Sequence, residues 1–151
     1  MAINARYVHT NLIARDWKKL VRFYGDVFGC IPKGPERDLS GEWLDQVTSL
    51  SGARLRGVHL RFPGYGDDGP TLEIFSCDNM PDRRLPWPNE PGFAPVAFAV
   101  DDVEKALETV VSAGGGSVGE IATAEVGGVG LLQVIYARDP EGNIVELQKW
   151  S

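Results

Sequence analysis

The sequence predicts an α+β fold made of two tandem βαβββ modules within one domain. Two amphipathic segments each follow a short apolar strand and precede further strands. Asp16 and Asp102, which begin these segments, lie 86 residues apart, and so do Gly29 and Gly115, which end them. Each half also closes on a strand that carries a Glu between aliphatic residues. Such matches indicate a duplication rather than a chance succession of helices and strands.

In the first half, the alternation of Tyr7–Ile13 predicts a strand, and Asp16 is a suitable N-cap for the helix that follows. The apolar residues of this helix recur at helical spacing: Trp17, Leu20, Val21, Tyr24, Val27 and Phe28. Gly29 provides a helix stop.

The region from Ile31 to Gly52 is rich in proline and charge, so we expect a weak strand and a long loop anchored by Trp43 and Leu44. Clearer strands are predicted at Leu55–Phe62 and Thr71–Ser76, joined by a glycine-rich turn.

Residues 78–91 contain four prolines and are the predicted linker. The pattern then restarts, with a strand at 93–100 and a helix from Asp102 to about Ala113. Three strands are predicted after it, near 117–125, 131–137 and 143–149. We therefore expect a single domain over 1–151, with module one at about 5–77 and module two at about 92–150.

The composition is that of a soluble globular protein, with 43% hydrophobic and 24% charged residues. The net charge of −6 argues against a nucleic-acid partner, and no apolar run predicts membrane insertion. Cys30 and Cys77 fit no disulfide or zinc pattern. We expect a cytoplasmic protein with both thiols reduced.

Two such modules placed side by side would close a cup-shaped sheet, and a cup of this kind is suited to a small-molecule ligand. Strand alternation predicts which side chains of the first module face it. They are His9, Asn11, Gly57, His59, Arg61, Thr71, Glu73 and Phe75. Glu73 and, in the second half, Glu146 are carboxylates flanked by apolar residues in mid-strand, where an isolated charge would be costly.

Three segments, HTNLIARDWKKLVRFYGDVFG, LEIF and RDPEGNIVEL, resemble the vicinal oxygen chelate superfamily over about residues 5–150. That superfamily includes glyoxalase I (lactoylglutathione lyase), methylmalonyl-CoA epimerase, ring-cleaving dioxygenases, and fosfomycin- and bleomycin-resistance proteins. The resemblance implies a glyoxalase-like fold, a small-molecule substrate and a homodimer.

The resemblance also implies a divalent metal ion (Mn, Mg, Fe, Co, Ni or Zn) held by one residue from each of four strands. The corresponding positions are His9, Glu73, residue 95 and Glu146, but Pro95 has no side-chain ligand atom. Three alternatives follow. The metal is held by His9, Glu73 and Glu146 with water or substrate; or His59 substitutes for the missing ligand; or the metal is lost and the cup binds only an organic molecule.

The implied activity is that of a lyase or isomerase that removes a proton next to a carbonyl of a small molecule or thioester. Glu146 or Glu73 would be the catalytic base, with His59 as the alternative. Asn11, Arg61 and Phe75 are candidate substrate-binding residues. The main alternative is a metal-free drug-binding protein of the bleomycin-resistance type. A dioxygenase or an epimerase is less favoured, because both would require a His at position 95.

Overall fold

A computed structural model describes all residues, 1–151, as an α+β structure with three helices and nine strands in two sheets. This confirms the predicted fold class. The chain divides into two compact units, Met1–Pro81 and Asp82–Ser151, and the division falls inside the segment predicted as a linker. None of the three helices has the length and apolar character required to cross a membrane.

The first unit contains one sheet and two helices. Its elements are β1 (His9–Ile13), α1 (Trp17–Phe28), β2 (Ile31–Ser40), α2 (Glu42–Thr48), β3 (Arg54–Arg61) and β4 (Thr71–Cys77). The strand order is β1-β4-β3-β2, in which β1 and β4 are parallel and the other neighbours are antiparallel. The first and last strands of the βαβββ module therefore lie side by side.

Helix α1 forms where the apolar spacing predicts it and covers one face of this sheet. Asp16 accepts a hydrogen bond from the Lys19 backbone N–H at 3.0 Å, which satisfies one of the open donors of the first turn. Leu20 and Tyr24 are fully buried, as are the β4 side chains Leu72 and Ile74. The chain leaves the helix at Gly29, whose φ of 72° suits a residue without a Cβ.

The prediction for Ile31–Gly52 is correct for the strand but wrong for the loop and for Trp43. Ile31–Ser40 is a ten-residue strand that pairs with β3 through an irregularity between Lys33 and Arg37, and α2 follows where a loop was expected. Helix α2 begins after Gly41, which has no side chain to cap it, so the sequence lacks the usual start signal. Leu44 is buried as expected, whereas Trp43 is 51% exposed and is not an anchor.

The second unit repeats the arrangement. Its elements are β5 (Val96–Ala99), α3 (Val103–Ser112), β6 (Gly116–Ser117), β7 (Ala122–Val126), β8 (Gly130–Arg138) and β9 (Ile144–Trp150). The strand order β5-β9-β8-β6 matches that of the first unit, with β7 added on β8. The strand predicted at 93–100 is shorter than expected, and Phe93 is fully exposed.

The helix cap repeats in detail, but the helix stop does not. Asp102 accepts from the Lys105 backbone N–H at 2.9 Å, as Asp16 does from Lys19. After α3, however, Gly114 adopts the positive φ of 95°. Gly115 is required for space instead, because a Cβ there would lie 2.3 Å from the carbonyl oxygen of Arg138.

Candidate metal centre

The register of the first sheet brings three potential metal ligands to one face. In β4, Glu73 is directly opposite Asn11 of β1 on one side and His59 of β3 on the other. His9 is opposite Thr71, two residues before Glu73. Because directly paired residues share a sheet face, all of these side chains project to the same side.

His9, His59 and Glu73, hereafter the triad, form a cluster whose ligand atoms all lie within 4.8 Å of one another. Nε2 of His59 is 2.6 Å from Oε2 of Glu73, and Nε2 of His9 is 3.7 Å from Oε1 of the same carboxylate. The His59 and Glu73 side chains are 12% and 14% exposed, whereas His9 is 38% exposed. The cluster is thus open on the His9 side.

Two neighbouring side chains orient the Glu73 and His59 members of the triad. Nδ2 of Asn11 donates to Oε1 of Glu73 at 2.9 Å, and Oγ1 of Thr71 lies 2.8 Å from Nδ1 of His59. Nε2 of His59 donates to Oε2 of Glu73, because a carboxylate can only accept. A bound ion would take the place of that proton, and Nδ1 would then donate to the hydroxyl oxygen of Thr71. Contacts of this kind select the tautomer and the ring orientation of a metal-bound histidine.

The pKa of His59 is lowered from its ordinary value, chiefly because burial disfavours the charged imidazolium. The Glu73 carboxylate opposes this shift, and the Arg37 and His9 charges add to it. Burial therefore favours the neutral imidazole, which is the form that can coordinate a metal ion.

The donor chemistry of the triad fits a divalent metal ion. Two imidazole nitrogens and one carboxylate oxygen suit first-row divalent metals, and three protein ligands leave positions for water or substrate. Of the residues that the second alternative at the Pro95 gap needs, the structure brings together His9, His59 and Glu73. Alternation placed His59 on this face, but its contact with Thr71 could not be derived from sequence.

Glu146 lies in β9 of the second unit, opposite Ala97 of β5 and Tyr136 of β8. Gln148 donates to its Oε1 at 3.2 Å, and burial raises the pKa of its carboxyl group. Its assignment as ligand or base stays a prediction.

Arg61 and Phe75 occupy different surroundings. Arg61 forms an ion pair with Asp67 in the turn after β3, so its charge is partly neutralised. Phe75 is 3% exposed, and its ring meets that of His59 edge-on at 6.4 Å between centroids.

Two cavities in the first unit flank the triad. One, of about 520 Å³, is lined by His59 and Thr71 together with the cationic residues Arg6, Lys33 and Arg37. The other, of about 530 Å³, is lined by Asn11 and Glu73. Its remaining lining includes the apolar side chains Ile13, Leu50, Leu55, Phe75, Met80 and Pro81. Both volumes are in the range of small-molecule sites.

Comparison with known proteins gives concordant matches. The family model described as Glyoxalase/Bleomycin resistance protein/Dioxygenase superfamily matches residues 6–147. A probable lactoylglutathione lyase from Vibrio parahaemolyticus serotype O3:K6 is 26% identical over 146 residues, which cover 95% of this chain and 90% of the relative.

Two solved structures show the same fold. A glyoxalase family protein from Bacillus cereus has a TM-score of 0.77 at 20% identity, covering 99% of this chain and 95% of its own. The fosfomycin resistance protein FosX from Listeria monocytogenes, complexed with Mn(II) and sulfate, has a TM-score of 0.53 at 14% identity. The match covers 100% of this chain and 95% of the FosX chain.

Proposed function

Because the chain belongs to the glyoxalase/bleomycin resistance protein/dioxygenase superfamily, we propose that it is a metal-dependent lyase or isomerase. It would remove a proton next to a carbonyl group of a small molecule or thioester. The observation that carries the proposal is the clustering of His9, His59 and Glu73 around one point. The name of the Vibrio relative, probable lactoylglutathione lyase, supports the same class of reaction.

In this proposal the triad holds a divalent ion. When bound, the ion supplies an electrophile for the negative charge that develops on the carbonyl oxygen. Asn11 holds Glu73 and Thr71 holds His59, so these two ligands are oriented before an ion arrives. The exposed edge of His9 leaves the cluster accessible to substrate.

Proton transfer needs a base within hydrogen-bonding reach of the substrate carbon. The resemblance implies a carboxylate for this role, either Glu146 or Glu73, with His59 as the alternative. A carboxylate oxygen would take the proton from the carbon next to the carbonyl and return it to a neighbouring atom. Replacement of Glu146 by Gln tests its role: a large loss of turnover with unchanged metal content would assign the base.

The direct test is the metal content of protein purified without chelator, followed by titration of metal-free protein with Mn²⁺, Co²⁺, Ni²⁺ and Zn²⁺. We expect about one ion per chain, and affinity at least ~10-fold lower in His9→Ala, His59→Ala and Glu73→Gln, because each removes one ligand. Glu125→Gln, an exposed acid in β7, is the matched control. If the wild-type protein takes up no metal under any loading condition, the enzyme proposal fails.

Pro95→His distinguishes the two metal alternatives. If the ion depends on a four-ligand arrangement that has lost one member, a histidine at position 95 should raise metal affinity sharply. If the triad with His59 is sufficient, affinity should stay within about threefold of wild type. Circular dichroism would establish that the variant is folded.

A second candidate is a metal-free small-molecule binding protein, which the cavity lined by apolar side chains favours. It predicts stoichiometric ligand binding without turnover or metal. The triad also has the two-histidine, one-carboxylate composition of many non-haem iron oxygenases. Oxygen consumption that depends on Fe²⁺ would identify that chemistry. Light scattering would test the proposed homodimer.

A further inference from the structure

The two cavities beside the triad differ in chemistry. We call the one lined by Arg6, Lys33 and Arg37 the basic cavity, and the one lined by Ile13, Leu50, Leu55, Phe75, Met80 and Pro81 the apolar cavity. His59 lines the basic cavity, whereas Glu73 lines the apolar cavity. Since His59 and Glu73 are 2.6 Å apart, the boundary between the cavities passes through the triad.

The basic cavity has more positive than negative charge. Three cationic side chains face a single carboxylate, that of Asp68. Lys33 donates to the backbone carbonyl oxygen of Asp67 at 2.8 Å, a contact that leaves its charge uncompensated. Neither Arg6 nor Arg37 forms an ion pair with a carboxylate, unlike Arg61, which pairs with Asp67. Guanidinium groups in this state are suited to bind a carboxylate or phosphate.

The positions of the cations follow from the sheet. Lys33 is directly opposite His59 in the pairing of β2 with β3, and Arg37 is opposite Gly57. Both therefore share the face of the triad. Arg37 and His59 line the same cavity. An anion held by these residues would lie beside the triad rather than at a distance from it.

The apolar cavity is suited to an organic group. Phe75 and Leu55 line it from the sheet, and Leu50, Met80 and Pro81 line it from the segments around 48–53 and 78–81. Its polar lining residues are Asn11, Thr48, Ser51, Glu73, Asp78 and Asn79. A volume of about 530 Å³ accommodates an aromatic ring or a branched alkyl chain.

We infer that the substrate is an amphiphilic oxyanion, with a carboxylate or phosphate in the basic cavity and an aryl or alkyl group in the apolar cavity. Its carbonyl group would then lie at the triad, between the two ends. This orientation rests on the proposed function, whereas the preference for an anion joined to an apolar group rests on the cavities alone. A 2-oxo acid with an aromatic tail is the simplest molecule of this class.

The test uses three probes on metal-free protein, so that its result does not depend on a metal. They are 4-phenyl-2-oxobutanoate, the neutral ketone 4-phenyl-2-butanone, and pyruvate, which has the anion but no apolar tail. Calorimetry should show that the aromatic acid binds at least ~10-fold more tightly than either other probe, since each lacks one of the two contacts. Equal affinity for the aromatic acid and the neutral ketone would overturn the inference.

Single-residue variants test which cavity binds each end of the aromatic acid. Arg37→Gln and Arg6→Gln should weaken binding of the aromatic acid by about tenfold or more, the loss expected for a charge-assisted hydrogen bond, and leave the ketone unchanged. Leu50→Gln should weaken both aromatic probes and leave pyruvate unchanged; Leu50 is 52% exposed, so the replacement is tolerated by the fold. Arg22→Gln, on the exposed side of α1, is the control. If Arg37→Gln and Arg6→Gln both behave like Arg22→Gln, the inference fails.

Competition separates the two oxyanions. Displacement of the aromatic acid by inorganic phosphate at lower concentration than by acetate identifies a phosphate site, and the reverse order identifies a carboxylate site. The results also distinguish a failure of this inference from a failure of the proposed function. Arginine-dependent binding in a protein that never takes up metal would refute the enzyme proposal alone, whereas stoichiometric metal without any preference for the acid would refute the inference alone.

Discussion

Nε2 of His59 lies 2.6 Å from Oε2 of Glu73, and the two residues are directly opposite each other in the pairing of β3 with β4. Their contact is therefore set by sheet register rather than by a flexible loop. A one-residue slip of either strand would move one side chain to the other face and abolish the pair. The relative positions of His59 and Glu73 are therefore maintained as long as the two strands keep their register.

Replacement of Thr71 by Val should weaken metal binding without preventing folding. Thr71 is 6% exposed, and its Oγ1 contacts Nδ1 of His59 at 2.8 Å, so valine keeps the shape but loses the hydrogen bond. We expect metal affinity to fall by about 10–100-fold, as for other residues that orient a metal-bound histidine. Competition with a chromophoric chelator measures it. Thr109→Val, whose hydroxyl bonds only within α3, should leave the affinity unchanged.

Gly57→Ala should destabilise the first unit. A Cβ at Gly57 would lie 1.9 Å from the carbonyl oxygen of Ile74 and 2.1 Å from Cδ1 of Phe75, so backbone or ring must move. We expect a loss of about 1–3 kcal/mol in the free energy of unfolding, measured with urea. Gly119→Ala is the control, because a Cβ there meets nothing within 4 Å. Equal stability of the two variants would contradict the close approach.

The two thiols should differ in reactivity. Cys30 is 3% exposed, and burial raises the pKa of its thiol to about 11, whereas Cys77 is partly exposed. In the folded protein we expect one thiol per chain to react quickly with Ellman's reagent, and two after unfolding. Cys77→Ser should remove the fast phase; a fast phase that survives would show that Cys30 is accessible.

The raised pKa of Cys30 also predicts that the free energy of unfolding decreases at alkaline pH. Because the folded state favours the neutral thiol, its contribution is complete below the ordinary value of 9.0 and is lost as the pH rises through about 11. Cys30→Ala should therefore show a smaller loss of stability over that interval than wild type. Urea unfolding at several alkaline pH values measures the difference.

The ion pair between Asp38 and Arg54 should make the stability of the protein depend on pH at acidic pH, and salt should weaken this dependence. Both guanidinium contacts are short, at 2.8 and 2.7 Å, and they hold the pKa of the Asp38 carboxyl below its usual value of 3.8. The stabilisation is therefore present above 3.8 and is lost as the pH falls through the lowered value. We expect NMR titration to show the Asp38 pKa rising in Arg54→Gln and in concentrated salt. An unchanged pKa in Arg54→Gln would refute the pairing.

Much of the fold follows from local signals, and the exceptions have physical causes. Asp16 and Asp102 predict both helix starts, because an N-cap side chain acts on its own helix. Helix α2 has no such signal, since Gly41 precedes it. The exposure of Trp43 could not be predicted either, because it depends on what α2 packs against.

The candidate site, too, could be predicted from the sequence only in part. Alternation along β3 and β4 predicts that His59 and Glu73 share a face, because the period of a strand is two residues. The distance between them depends on which strands are neighbours, which alternation does not determine. The ion pair of Arg61 with Asp67 and the cations of the basic cavity arise from the same long-range pairing.

Both histidines of the chain lie in the first unit, while the second unit keeps the same strand order with Pro95 at the position equivalent to His9. The second unit supplies no imidazole to the triad, so its sequence lacks that chemical constraint. Substitutions should therefore be tolerated unequally along the chain. Positions around His9 and His59 would be restricted by chemistry, and their counterparts in the second unit chiefly by packing, which leaves that half freer to diverge.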